Sequence, residues 1–143
     1  MKDESFGTVP IRKNGQIQVL IIKHKNGSFF SFPKGHKEKD ETDKKAAARE
    51  LKEETGYISD QWHNLGTFHA NPAVLNNTCH VFLALNSRKI SDPDLDMTED
   101  LESKLIHLNE LVDIIEKDEI IHGISLASLL KFEFFKLKNP GLF

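Results

Sequence analysis

The segment at residues 35–57, GHKEKDETDKKAAARELKEETGY, constrains the fold of this chain more than any other part of it. Thr42 or Asp43 is a suitable helix N-cap, and the three alanines at 46–48 strongly favour helix. Gly56 stands where a C-cap glycine is expected. The segment therefore predicts one helix between these caps, with Glu41 in the loop just before it.

On that helix the glutamates share one face. With about 100° per residue, Ala47, Ala48 and Thr55 fall within about 60° of Leu51 and form a stripe that can lie on a sheet. The glutamates follow beside this stripe at about −60°, −100° and −160°: Glu54, Glu50 and Glu53. Two carboxylates about 6 Å apart repel by roughly 3 kcal/mol at an effective dielectric of 20. A half-buried group of this kind raises its pKa values or binds a cation, whereas an exposed one is simply a solvated acidic face.

An all-oxygen ligand set favours a hard divalent ion, Mg²⁺ or Mn²⁺. Mg²⁺ keeps several waters and also accepts phosphate oxygens of a substrate. Gly35 follows Phe32-Pro33-Lys34, a turn that can bring the backbone close to a ligand. Together the turn, the acidic helix and the glycine stop predict a metal site suited to chemistry at phosphorus.

These residues resemble a complete Nudix box, the signature of enzymes that hydrolyse a nucleoside diphosphate linked to another group. Seven charged or glycine positions agree with it: Gly35, Glu41, Arg49, Glu50, Glu53, Glu54 and Gly56. Average residue usage makes seven accidental matches improbable, about 10⁻⁸. Tyr57 stands where the family usually has an aliphatic residue.

The resemblance implies roles for the box residues. Glu50 and Glu54 would be metal ligands, Glu53 a ligand or the general base, and a backbone carbonyl at Gly35 or Lys34 a further ligand. Arg49 and Glu41 would orient the catalytic carboxylates, although alone they would read as an ordinary surface ion pair. Some Nudix enzymes also use a carboxylate from a later loop, and Glu99 and Glu102 in the acidic run 92–102 are the candidates here. The same run would also suit a solvated loop.

The rest of the chain predicts a single α/β domain over residues 1–143. Strand candidates lie at 5–12, Gln16–His24, 29–32, 62–69, 78–86 and 101–108, and helix candidates at 109–117 and 125–137. Asn14-Gly15 predicts a hairpin turn between the first two strands. Strand 78–86 is apolar on both faces, which indicates a central strand. The resemblance implies a Nudix fold, a mixed β-sheet sandwiched between α-helices.

Composition excludes several classes of function. The formal net charge is −3 with acids and bases interleaved, which argues against a surface that binds nucleic acid. Cys79 is the only cysteine, so no intrachain disulfide can form, and this suits the cytoplasm. The N-terminal residues do not resemble a signal peptide, and no stretch of 18 apolar residues predicts a membrane span.

Two subgroup resemblances compete for the substrate, which is a small nucleotide in both. The Pro33-Lys34-Gly35-His36 run resembles diadenosine tetraphosphate hydrolases. Two segments resemble the nucleotide-sugar and ADP-ribose enzymes: the region from Asn71-Pro72 to Asn77, and residues 119–130. Nucleotide sugars or ADP-ribose are therefore the favoured substrate class. Lys34 and His36 are candidates for phosphate contacts, and Pro72 and Asn77 for other substrate contacts.

Further alternatives remain open at this point. Phe29 and Phe30 could stack a base or belong to the core, and His80 is more typical of a structural histidine. A non-catalytic nucleotide-binding Nudix module is the alternative to an enzyme. The last helix carries Ala127, Leu130, Phe134 and Leu137 on one face. We expect that face to pack on the sheet, and a homodimer interface is the alternative.

Overall fold

Local sequence signals set the first hairpin in the computed structural model, which describes residues 3–25, 29–120 and 122–143. Gly15 adopts a positive φ of 70°, as the predicted Asn-Gly turn requires. The flanking strands pair antiparallel from Asn14↔Gln16 to Ile11↔Val19. The predicted hairpin is therefore confirmed.

The described residues form nine strands and three helices. The strands are β1 (Asp3–Asn14), β2 (Gln16–His24), β3 (Phe29–Ser31), β4 (Lys34–Gly35), β5 (Tyr57–Ile58), β6 (Gln61–Phe68), β7 (Asn77–Leu85), β8 (Arg88–Lys89) and β9 (Leu101–His107). The helices are α1 (Asp43–Thr55), α2 (Leu108–Glu116) and α3 (Gly123–Lys138), with a 3-10 turn at Pro140–Leu142. The long predicted elements are confirmed within a few residues, while the two-residue strands carry no sequence signal of their own.

One mixed sheet of seven strands organises the molecule. Its order is β3-β2-β1-β7-β6, with β4 paired to β1 and β9 paired to β2, and β5 with β8 forms a separate ribbon. Strand β7 runs parallel to β1 and antiparallel to β6, so the predicted central strand is confirmed.

Alternate residues of the sheet enter two different cores. On one face Val81 and Leu83 pack with Leu129 and Phe132 of the C-terminal helices. On the other face Phe82 packs with α1, through Ala46 and Ala47. The sheet therefore lies between α1 on one side and α2 with α3 on the other, which is the predicted layered arrangement.

The prediction of which face of α3 packs is wrong. Leu130, Phe134 and Leu137 are 57%, 60% and 74% exposed. The helix instead buries Ser125, Ser128, Leu129 and Phe132.

This segment is apolar on almost every side, so periodicity alone selects no face. The chosen face tolerates two serines because both hydroxyls have partners: Ser125 Oγ accepts from Phe32 N, and Ser128 Oγ donates to Ile124 O. The homodimer stays a prediction, and the exposed stripe is the surface it would use. Within the ranges described, no helix combines the length and apolarity needed to span a bilayer.

Candidate active site

Helix α1 presents the predicted carboxylates because its ends are capped as expected. Thr42 Oγ1 accepts a hydrogen bond from Lys45 N at 3.3 Å, and Gly56 closes the helix in the left-handed conformation at φ 78°. A side chain at Gly56 would also overlap the Ser91 carbonyl. The residue must therefore be glycine for conformational and for steric reasons.

Glu50 lies directly against the backbone of Gly35. A Cβ added to Gly35 would overlap all three atoms of the Glu50 carboxylate. Strand β4 is held in place by pairing with β1, through Phe6↔Gly35 and Gly7↔Lys34. The glycine is therefore needed for close approach, and the sheet fixes the position of the Glu50 carboxylate.

Arg49 joins the loop before α1 to the glutamates on it. Its Nε donates to Glu41 Oε2 at 2.8 Å, and its Nη1 donates to Glu50 Oε1 at 3.0 Å and to Glu53 Oε2 at 3.2 Å. Its Nη2 donates to the His36 carbonyl at 2.7 Å. The hydrogen bond from Arg49 and a second from the Glu38 N–H lower the pKa of Glu41. One guanidinium thus positions two helix carboxylates and the loop.

Glu54 is the most buried carboxylate of the group, at 8% exposure. Burial first, and then the charges of Glu50 and Glu99, raise the pKa of Glu54 to about 9. Burial also raises the pKa of Glu50, against the opposing effect of Arg49. Such crowding of acids disfavours charge unless a cation is present.

A cleft of about 470 Å³ opens beside these carboxylates. Its lining is His24, Phe29, Ser31, Phe32, Lys34, Glu54, Thr98, Glu99, Asp100, Leu101 and His122. Burial, and then the charge of Lys34, lower the pKa values of His24 and His122, and the same charge opposes the rise in the pKa of Glu54. The Lys34 ammonium therefore lies within electrostatic reach of both the acidic and the histidine-rich parts of the cleft.

Pairing of β9 with β2 brings the later acidic loop to this cleft. His24 lies opposite Leu101 in that register, and Lys25 N donates to Asp100 O at 3.1 Å. Glu99 consequently faces the cleft near Glu54, whereas Glu102 is exposed on β9 and does not line it. Of the two loop carboxylates considered from the sequence, the structure places Glu99 at the site.

Comparison with known proteins decides the family. A family model described as the NUDIX domain matches residues 1–127. The chain belongs to the Nudix family. Its Nudix box is the segment 35–57, which contains Gly35, Glu50 and Glu54.

ADP-ribose pyrophosphatase from Bacillus subtilis (strain 168) is 32% identical over 94 residues, 65% of this chain and 51% of that protein. This chain's match therefore spans about half the length of that relative.

Two solved structures share the fold. A crystal structure of an ADP compounds hydrolase has a TM-score of 0.81 at 22% identity, covering 98% of this chain and 75% of that one. The NUDIX domain of Shewanella oneidensis NrtR, solved with ADP ribose, has a TM-score of 0.64 at 18% identity, covering 79% and 77%. At these identities the likeness establishes the Nudix fold.

The structure does not bring every predicted site residue to the Nudix cleft. His36 is exposed, with Nδ1 at 3.0 Å from the Glu4 carbonyl, and only its own carbonyl contacts Arg49. Pro72 lies on the exposed loop after β6, and Asn77 begins β7, where its carbonyl contacts His69 Nδ1 at 2.8 Å. None of these three residues lines the cleft described above, whereas Lys34 lines it.

His80 has the structural role that the sequence favoured. Its ring stacks on Phe6 at 4.6 Å, and Nε2 lies 3.2 Å from Glu4 Oε1.

Two histidines that line the cleft, His24 and His122, were not among the site residues predicted from the sequence. His24 is paired with Phe29 on the neighbouring strand, and this short-range pairing is a signal from which His24 could have been identified. No comparable local signal marks His122.

The chemistry of the Nudix carboxylates suits a divalent metal. In the described ranges no three His, Cys, Asp or Glu side chains are arranged to hold an ion by themselves. The donor set still fits Mg²⁺, because this ion is commonly bound by one or two carboxylates together with waters and substrate phosphates. Glu50, which lies against the Gly35 backbone, and the buried Glu54 would supply those two carboxylates.

Proposed function

We propose that this Nudix protein is a Mg²⁺- or Mn²⁺-dependent hydrolase of a nucleoside diphosphate linked to another moiety, of the ADP-ribose or nucleotide-sugar type. The observation that carries the proposal is a pair of crowded carboxylates: Glu50, half-buried against the Gly35 backbone, and Glu54, which is buried and lines the same cleft as Lys34. The Bacillus subtilis relative and the two ADP-linked structural neighbours support this substrate class. A cytoplasmic location belongs to the same proposal, supported by the buried free thiol of Cys79.

Residues of the cleft would share the chemistry. Glu50, Glu54 and the Gly35 carbonyl would hold the ion, which when bound offsets negative charge on phosphate oxygens and activates water. Lys34 would attract the diphosphate as a point charge. Arg49 would keep Glu50 and Glu53 in orientation, with Glu41 holding the other side of its guanidinium.

The reaction is an in-line displacement at phosphorus. A water oxygen forms a new bond to one phosphorus, the bond from that phosphorus to the bridging oxygen breaks, and a carboxylate takes the proton of the water. The bridging oxygen leaves on the other phosphate, so ADP-ribose would yield AMP and ribose 5-phosphate. Glu53, which is 42% exposed and held by Arg49, and Glu99, which faces the site from the opposite loop, are the two candidate bases.

The first experiment is a substrate panel in Mg²⁺ with product identification: ADP-ribose, several nucleotide sugars and diadenosine tetraphosphate. Glu54→Gln and Glu53→Gln should each lose more than about tenfold in kcat, and a smaller loss in both would be too small for metal or base roles. Glu116→Gln, an exposed glutamate on α2, is the matched control. Binding of ADP-ribose without turnover would support a non-catalytic module instead.

A metal titration distinguishes a residue that binds the metal from the residue that acts as the general base. Loss of a ligand should be partly restored by a higher Mg²⁺ concentration, whereas loss of the base lowers kcat by about 10²–10⁴ at every concentration. We expect one of Glu53→Gln and Glu99→Gln to show the second behaviour. If saturating metal restores both variants, neither residue is the base.

A further inference from the structure

Part of the cleft wall is aromatic and has no role in the chemistry above. We call His24, Phe29 and His122 the aromatic wall. The His24 and Phe29 rings are stacked, 4.4 Å apart between centroids and 11° from parallel. The His122 ring lies 6.3 Å from Phe29 at 37°. Three rings therefore stand together at one side of the cleft.

The fold holds this wall rigidly from two directions. His24 and Phe29 are cross-strand partners in β2 and β3, so backbone pairing sets their stack. His122 is the residue before α3, where Nδ1 lies 2.9 Å from Ser125 Oγ. Phe30, the next residue, packs against the main core, whereas Phe29 faces the cleft. Core packing therefore accounts for Phe30 and leaves Phe29 unexplained.

The two histidines of the wall are suited to contact an uncharged planar group. Burial, and then the charge of Lys34, lower the pKa of His24 and of His122, which favours the neutral form of both rings. Each ring uses one nitrogen within the protein, His24 Nε2 toward Ser31 Oγ at 2.6 Å and His122 Nδ1 toward Ser125 Oγ. Neutral rings offer π faces for stacking without repelling a nearby ammonium.

We propose that the aromatic wall binds the planar base of the nucleotide substrate, a proposal that rests on the hydrolase function above. Lys34, Glu54 and the three rings line the same cleft, so phosphates held near Lys34 would leave the base beside the rings and the diphosphate beside the carboxylates. Stacking on aromatic side chains tolerates any base, because every base has a π face. The wall would thus orient the nucleotide half of the substrate and leave the other moiety unconstrained.

The test separates binding of the base from chemistry. In Phe29→Ala, KM for the hydrolysed nucleotide substrate should rise about tenfold while kcat stays within about twofold. By calorimetry, AMP should bind this variant about tenfold more weakly than wild type, and ribose 5-phosphate should bind both equally. Phe29→Tyr keeps the ring and should restore AMP binding. His63→Ala is the control, because its ring contacts Phe135 at 5.2 Å and does not line the cleft.

Equal AMP affinity in wild type and Phe29→Ala would overturn the proposal, as would no AMP binding to wild type or equal weakening of both fragments. Circular dichroism checks folding of each variant. Phe29→Leu keeps apolar bulk without the ring. If Phe29→Ala fails to fold, the AMP affinity of Phe29→Leu is compared with that of wild type instead. Absence of turnover on the whole substrate panel would contradict the hydrolase function, and the AMP titrations would still decide whether the wall binds a base.

Discussion

At the scale of single residues, the site depends on a glycine as much as on carboxylates. Gly35 has no positive φ, so its requirement is purely steric: the Glu50 carboxylate occupies the space a Cβ would need. Arg49 then fixes the same carboxylate from the other side. Glu50 is therefore held by neighbours on both sides before any ligand arrives.

Gly35→Ala should displace Glu50 and lower kcat/KM by about 10²-fold, the cost of a misplacement near 1 Å. The added methyl should lower the free energy of unfolding by about 1–3 kcal/mol. Steady-state kinetics and urea unfolding measure the two effects. Gly141→Ala, where a Cβ meets nothing within 4 Å, should change neither. If kcat/KM of Gly35→Ala is close to that of wild type, the close contact between Gly35 and Glu50 is not needed for activity.

Glu41 gives a pH-dependent prediction. Its pKa is lowered in the folded protein by Arg49 and the Glu38 N–H, so its contribution to stability is complete above its ordinary pKa of 4.5 and is lost as the pH falls through the lower folded value. Glu41→Gln should therefore be less stable than wild type at pH 7. The difference in urea midpoint should shrink at about pH 3.5. A difference that is unchanged in acid would mean that the ion pair with Arg49 is not its source.

At the scale of elements, α1 and α3 show opposite relations between sequence and structure. For α1, capping and a single apolar stripe specify the boundaries and most of the buried face, which includes Ala47, Leu51 and Thr55 as predicted. Ala46 and Glu54 are buried as well, whereas the predicted Ala48 is only half-buried. For α3, large apolar groups surround the helix, so many faces could be buried and only the fit to the sheet selects one. Helix existence was therefore predictable in both cases, and orientation in only one.

Phe132 and Phe134 test the orientation of α3 on one helix with one residue type. Phe132 is fully buried and Phe134 is 60% exposed. Phe132→Ala should cost about 3–5 kcal/mol in the free energy of unfolding, and Phe134→Ala no more than about 0.5 kcal/mol. Chemical unfolding at low micromolar protein concentration measures both while limiting self-association. A larger loss for Phe134→Ala would mean that the helix packs by the other face.

At the scale of the whole molecule, the crowded carboxylates link metal binding to stability. Glu54 is buried beside Glu50 and within reach of the Glu99 charge, and these three come from two distant parts of the chain. A cation bound only by the folded state must stabilise the whole domain by mass action. We therefore predict that metal binding at these carboxylates raises the stability of the fold.

Mg²⁺ at a hundredfold excess over its Kd should stabilise wild type by about 2.7 kcal/mol, which corresponds to several degrees in Tm. Glu54→Gln should lose most of that rise and, without metal, should be at least as stable as wild type because one buried acid has been removed. Glu116→Gln should keep the full rise. Thermal unfolding with and without Mg²⁺ is the measurement, and an unchanged rise in Glu54→Gln would remove Glu54 from the ligand set.

The sequence alone was enough for the Nudix box, the caps of α1, the shared face of Glu50, Glu53 and Glu54, and the layered α/β fold. These features depend on neighbours within about two helical turns or on strand alternation, so residue spacing encodes them directly. Only the tertiary structure placed Glu99 and not Glu102 in the lining of the cleft, brought His24 and His122 to that cleft, and selected the buried face of α3. The reason is that each of these depends on strand register or packing between segments far apart in the chain, such as His24↔Leu101, which no local pattern records.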